Sequence, residues 1–152
     1  MPALHPDRFF HTGVVVADID LAMTELSRSL GITWKGGWPA VHHLHYFGAD
    51  HDVELRIAFS VQGPPHLELI EAKDDTLWPP GSYGTHHLCY WSDDAAGDGA
   101  GLEAEGYQRL SGVSGVGGGY FRSPSGVTVE LLTADYHQRL VSWLQRPSTS
   151  SV

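Results

Sequence analysis

The sequence predicts an α+β fold: two copies of a strand–helix–strand–strand–strand module in one domain, with a helix added at the C-terminus. Three observations predict it. Segments that open on a histidine and close on a glutamate occur twice, from His11 to Glu68 and from His87 to Glu130. The two also align between their ends: Asp18 and Asp94 each lie seven residues after the histidine, Leu30-Gly31-Ile32 matches Glu105-Gly106-Tyr107, and LELIEA from Leu67 matches VELLTA from Val129. Agreement at capping, turn and strand positions together marks a duplicated supersecondary unit. Finally, 152 residues fit one domain, or two small repeats sharing one core.

The elements follow in order. Phe9 to Ala17 is a β-branched, apolar run and reads as a strand. Asp18 and Asp20 are helix-start signals. Ile19, Met23, Leu26 and Leu30 then recur on one helical face, and Gly31 can end the helix. Gly36, Gly37 and Pro39 break the chain, and strands are expected over Val41–Phe47, Val53–Val61 and His66–Ala72. In the second copy, Thr85–Ser92 is a strand capped by Asp93 and Asp94. Ala95–Glu105 is a helix weakened by Gly97, Gly99 and Gly101. Tyr107–Val113, Gly119–Arg122 and Val127–Thr133 are the closing strands. Module one therefore spans 9–72, a Pro- and Gly-rich linker 73–84, and module two 85–134. A C-terminal helix over 135–146 puts Tyr136, Leu140, Trp143 and Leu144 on one face, ready to dock on the domain or on a partner chain. The polar tail 147–152 is expected to fray.

Composition excludes several functions. Nine Lys and Arg stand against eighteen Asp and Glu, a net charge of -9, with no basic cluster. That excludes nucleic acid and anionic membrane surfaces as natural partners. It also disfavours a polyanionic substrate unless Arg56, Arg109 or Arg122 gather at one mouth. The lone Cys89 cannot form an internal disulfide, no secretory h-region opens the chain, and no run is long enough to span a bilayer. A cytoplasmic location is expected.

The four groups that head and close the repeats, His11, Glu68, His87 and Glu130, could hold one divalent metal ion. Mixed nitrogen and oxygen ligands suit Zn, Co, Ni or Mn better than Mg. His86 competes with His87, but neighbouring strand residues face opposite ways and the repeat alignment selects His87, leaving His86 outward or at an interface. Cys89 reads as a small buried filler. His43 and His45 share one face of their strand, with His42 on the other; either pair of faces could line a pocket or meet water. His66, on the same face as Glu68, could support the site or merely end a strand. The glycine run from Gly112 lacks the context of a dinucleotide loop and suits a hairpin over the site. Trp34, Trp38, Trp78 and Trp91 supply aromatic surface; one or two at a cavity mouth would favour an apolar or aromatic substrate.

The repeat, with GTHHLCYWSDD at the start of its second copy and FFHTGVVVADID at the start of its first, resembles the vicinal-oxygen-chelate superfamily, which includes glyoxalase I, methylmalonyl-CoA epimerase, extradiol dioxygenases and bleomycin-binding proteins. The resemblance covers roughly residues 9 to 134, and the Gly-x-His-His start is most similar to the methylmalonyl-CoA epimerase branch. It implies two modules forming a curved mixed sheet around a central metal-binding cavity, with His11, Glu68, His87 and Glu130 as ligands. Ser123-Pro124-Ser125-Gly126 replaces the frequent Asp-Pro-Asp-Gly, and the fuller glyoxalase I signatures are missing. The resemblance further implies a metal-dependent isomerase or epimerase that stabilises an enolate of a carbonyl or acyl-thioester substrate. Glu130 would carry the proton on one side, and Asp52 or Glu54 would be the second acid/base. The alternatives are a glyoxalase-type lyase and a non-catalytic protein that sequesters an aromatic natural product. A homodimer is expected on the same grounds.

Overall fold

The computed structural model describes residues 4–112 and 117–147. Module one contains β1 (Phe9–Val16), α1 (Ile19–Leu30), β2 (Trp34–Tyr46), β3 (Ala49–Ser60) and β4 (His66–Glu71). Module two contains β5 (Gly84–Ser92), α2 (Ala95–Ala104), β6 (Gln108–Arg109), β7 (Gly119–Arg122) and β8 (Thr128–Thr133), and α3 (Ala134–Gln145) follows. The strands form one curled, mixed sheet in the order β2-β3-β4-β1-β5-β8-β7-β6. Within each module the first strand runs parallel to the last, and the modules meet where β1 pairs antiparallel with β5. The second half of the order therefore repeats the first about a pseudo-twofold axis between β1 and β5.

Local chemistry explains the helices. The Asp18 carboxylate accepts the Leu21 N–H at the start of α1, and Gly31 ends it in the left-handed region at φ 71°. Ile19 is fully buried against Ala58 and Leu69, with Met23 and Leu26 beside it. Leu30 is the exception to the expected stripe, 67% exposed in the last turn. Helix α2 forms despite its glycines because Asp94 caps it and one glycine is needed: Gly99 is buried, and a β-carbon there would crowd Phe121 and the Arg109 guanidinium.

Two strands and the linker differ from expectation. β2 begins at Trp34, seven residues early, because the chain does not break at the glycines. Gly36 and Gly37 take φ of 98° and 94°, and the register with β3 shifts between Gly36 and Pro39, so they form a bulge inside one long strand. β6 has only two residues, and the end of the segment expected as strand, at 113, lies outside the described residues. The linker is packed rather than loose. Trp78 is 5% exposed in the core with Val15, Leu55 and Ile70, and the Lys73 N–H donates to its carbonyl.

Helix α3 spends its apolar face on its own sheet. Leu144 is buried with Phe10, Phe59, Cys89 and Leu132, and Leu140 and Trp143 pack beside it. Lys35 of β2 donates to the carbonyls of Trp143 and Arg146, so a cation caps the helix where its dipole is negative. The helix thereby closes one end of the concavity of the sheet. No helix among the described residues is long and apolar enough to cross a membrane.

Candidate metal centre

The sheet seam sets the site. Opposite the residue two places after each histidine lies that module's glutamate: Gly13 pairs with Glu68, and Cys89 with Glu130. Across the seam the same positions interlock, His11 opposite Cys89 and Gly13 opposite His87. All four side chains consequently converge on the concave face beside the axis. Their ligating atoms lie within 4.8 Å of one another. His11 Nε2 is 3.3 Å from Glu68 Oε1 and 3.1 Å from Glu130 Oε1. His87 Nε2 is 3.1 and 3.3 Å from the same two oxygens, and the two nitrogens are 3.2 Å apart.

The donor set fits a divalent ion. Bonds of about 2.1 Å to nitrogen and oxygen place neighbouring ligands of one ion about 3 Å apart. In addition, the Glu68 and Glu130 Oε1 atoms are buried without a hydrogen bond of acceptable geometry, although imidazole nitrogens stand close by. Buried carboxylate oxygens left in this way are suited to a cation. Electrostatics agree. Burial lowers the pKa of His11, but the charge of Glu68 and the close Glu130 carboxylate more than reverse this and push it up to about 10. His87 is pushed up to about 9 by the same two carboxylates against the same burial. Burial raises Glu68 and Glu130, yet the adjacent histidines hold both below the usual carboxylate range.

One residue that holds this geometry is absent from the expected site. Gly13 faces His87 across the seam, and a β-carbon on it would lie inside the imidazole ring. A glycine in a strand interior marks such a close approach, and HTGV carries that signal.

His86 is the main departure from the expected site. The β1–β5 register passes from Gly13–His87 to Val14–Thr85, so His86 is the extra residue of a bulge. Phe10 is skipped in the same way in front of His11. Each histidine of the cluster thus follows a bulged residue that turns inward rather than outward. In module two that residue is polar. His86 Nε2 lies 2.9 Å from the Leu77 carbonyl and must donate to it, which leaves His86 Nδ1 as an acceptor 2.9 Å from His87 Nδ1. The network puts the Nδ1 proton on His87 and turns its Nε2 lone pair to the cluster. In module one the corresponding residue is Phe10, and His11 Nδ1 is buried without a partner. His86→Leu is therefore expected to weaken metal binding about 10- to 100-fold, and His86→Gln to restore part of it. Competition with a chelating dye checks this; equal affinities in both variants would refute the relay.

The remaining candidates separate clearly. Asp52 and Glu54 are exposed on the face of β3 opposite Val53, Leu55, Ile57 and Phe59, and neither lines the cavity. Asp52 instead pairs with His43, and Asp50 with His45 across the same hairpin at 2.7 Å. His66 is buried, donates to the Ser60 carbonyl at 2.8 Å and packs on Phe10, so it supports the fold and not the cavity. Cys89 is fully buried among apolar side chains. His42, on the cavity side of β2, lines the space above the four ligands, and burial lowers its pKa below 6.5.

That space is a half-open cavity of about 740 Å³ bounded by the concave sheet and α3. Trp38, Trp78 and Trp143 contribute to its wall, whereas Trp34 lies under α1 and Trp91 stacks on His137. Ser111, Gly112 and Gly117–Gly119 reach the cavity; residues 113–116 between them lie outside the described residues.

Residues 10–122 match the family model of the Glyoxalase/Bleomycin resistance protein/Dioxygenase superfamily. The chain belongs to that superfamily, the vicinal-oxygen-chelate group that its two His-to-Glu segments resemble. Solved structures agree on the fold. A methylmalonyl-CoA epimerase in complex with methylmalonyl-CoA and NH4+ is 18% identical, with 83% of this chain and 93% of that chain covered and a TM-score of 0.57. The epimerase from Mycobacterium tuberculosis is 17% identical over 82% and 86% of the two chains, with a TM-score of 0.55. A hypothetical protein from Bacillus halodurans C-125 is 16% identical over 94% and 97%, with a TM-score of 0.54. No curated protein matches the chain. Enzymes of the superfamily commonly use a divalent metal, which accords with the His and Glu cluster.

Proposed function

We propose that this protein is a metal-dependent isomerase or epimerase that moves a proton on the carbon alpha to a carbonyl. The observation that carries this reading is the convergence of His11, Glu68, His87 and Glu130 at the base of a cavity that three of them line, with two buried carboxylate oxygens lacking hydrogen bonds. A divalent ion held by these four residues would supply a Lewis acid for the carbonyl oxygen.

The chain's own residues supply the rest. Glu130 is the more accessible carboxylate, its side chain 19% exposed against 9% for Glu68, and it faces the cavity. It is assigned to carry the proton on the ligand side. His42 takes the role that Asp52 and Glu54 cannot fill from the outer face of β3. It reaches the cavity from the β2 side, and burial keeps its imidazole neutral and able to accept a proton at neutral pH. The Tyr120 ring, 4.7 Å from that of His87, packs beside the ligand histidine.

Deuterium wash-in at the alpha carbon of carbonyl compounds, acyl thioesters included, tests this directly. Metal-loaded protein is expected to catalyse exchange, and His42→Gln to reduce it at least about a hundredfold with metal content unchanged. No exchange by the loaded protein with any carbonyl donor would sink the proposal.

A further inference from the structure

The walls of the cavity indicate what enters it. Nine Lys and Arg are present in the whole chain, and none lines the cavity. The cations the sequence offered as a possible anion-binding mouth are dispersed. Arg56 is bound to Asp20 and Glu71 on the outer face of module one. Arg109 is bound to Glu103 and lies over Phe121 beneath α2. Arg122 is exposed at the end of β7. Lys35, the basic residue beside Trp143, is consumed by the carbonyls at the end of α3.

The histidines at the rim add no net positive charge. His43 and His45 are each bonded to an aspartate, and His42 is held neutral by burial. At the floor, the charge of the Glu68 and Glu130 carboxylates would be offset by a divalent ion. All of this sits in a chain whose net charge is -9. A cavity lined without cations, in a chain of net negative charge, offers a pyrophosphate or a carboxylate-bearing tail no attraction.

Aromatic and aliphatic groups take the place that cations would occupy. Trp38, Trp78, Trp143, Phe59 and Tyr120 line the space, with Leu55 and Ile57 between them. Trp38 is 57% exposed, and its ring stands edge-on to Trp143, 6.2 Å between centroids, at the opening. A large, partly wet indole at a cavity mouth is a surface on which a flat ring can stack. The volume of about 740 Å³ lies within the range of small-molecule sites.

From these observations we infer that the ligand of this cavity is an uncharged aromatic ketone, bearing its carbonyl toward the four-residue cluster and its ring toward Trp38 and Trp143, and not an acyl-CoA thioester. The inference deepens the proposed function and rests on the cluster being the carbonyl-binding end. It separates this chain from its fold neighbours, whose complexes carry CoA esters. A thioester carbonyl could reach the floor in the same way, but its phosphates would find no positive side chain among the residues that line the cavity.

Calorimetric titration of the zinc-loaded full chain tests the assignment with two probes. The first is benzoin, an uncharged two-ring hydroxyketone; the second is propionyl-CoA. Benzoin is expected to bind saturably and at least about tenfold tighter than propionyl-CoA. Trp38→Ala, at an exposed position, is expected to weaken benzoin about three- to tenfold while zinc stoichiometry stays at the wild-type value. Propionyl-CoA binding as tightly as benzoin, failure of benzoin to bind, or indifference of benzoin to Trp38→Ala would each overturn the assignment. Binding and exchange are read separately. Benzoin that binds without exchange of its alpha proton counts against the proton-transfer reading and leaves the ligand class standing. Propionyl-CoA that binds and exchanges does the reverse.

Discussion

Gly13→Ala is expected to abolish stoichiometric metal binding while leaving a folded protein. The added β-carbon would occupy the space of the His87 imidazole, so the ring must leave its position or β1 must part from β5. Either response moves His87 Nε2 away from the 3.1–3.3 Å contacts it makes with Glu68, Glu130 and His11. Loss of one ligand should cost at least the 100-fold that an outer partner of a ligand can be worth. Overpacking at the seam should lower stability by about 1–3 kcal/mol. Gly31→Ala is the control. Gly31 has φ 71° and open space around it, so alanine there brings about 1 kcal/mol of backbone cost with no effect on metal. Metal content and thermal unfolding of the two variants separate the mechanisms. Full metal occupancy in Gly13→Ala would show that His87 does not need its present place.

The contrast between these glycines bears on what the sequence reveals. α1 is legible at both ends and along most of its buried face: Asp18 and Gly31 state the boundaries, and the apolar spacing states the face apart from Leu30. The cluster is legible because duplication writes it twice, and the seam register then brings both copies to one point. Bulges are what the sequence conceals. Each adds one residue and reverses the strand parity beyond it. That is why Gly36 and Gly37 read as a break, and why His86 reads as outward-facing when it turns inward beside His87. The placement of Asp52 and Glu54 fails for another reason. Val53, Leu55, Ile57 and Phe59 alternate with Asp52, Glu54 and Arg56, so the polar set belongs to the outer face, and this pattern is present in HDVELRIAF itself. The role of His42 stays undecided in the sequence because neighbouring histidines on both faces of one strand carry no mark of which face lines the cavity.

Metal uptake is expected to release two protons per ion near pH 7 and to tighten steeply as pH rises. In the metal-free protein His11 and His87, pushed up to about 10 and about 9, hold protons at neutral pH, and Glu68 and Glu130 are ionised. A cation can take these nitrogens only after their protons leave. With two protons displaced, apparent affinity should rise up to about a hundredfold per pH unit below pH 9 and level off above about 10. The sign for folding is the opposite. Both histidines titrate higher in the folded state than their ordinary 6.5, so their contribution to metal-free stability is complete below that value. It is lost as pH rises through about 9 to 10. The glutamates, lowered from 4.5, contribute above that value and lose their contribution as pH falls. Chelator-treated protein should therefore melt at progressively lower temperature from pH 7 to pH 10, while the stabilisation conferred by added zinc grows over the same interval. Calorimetry at pH 7 in buffers of different ionisation enthalpy counts the protons, and melting curves with and without zinc give the stability. Binding that releases no protons, with an affinity flat across this range, would mean that the histidines are not the nitrogens that hold the ion.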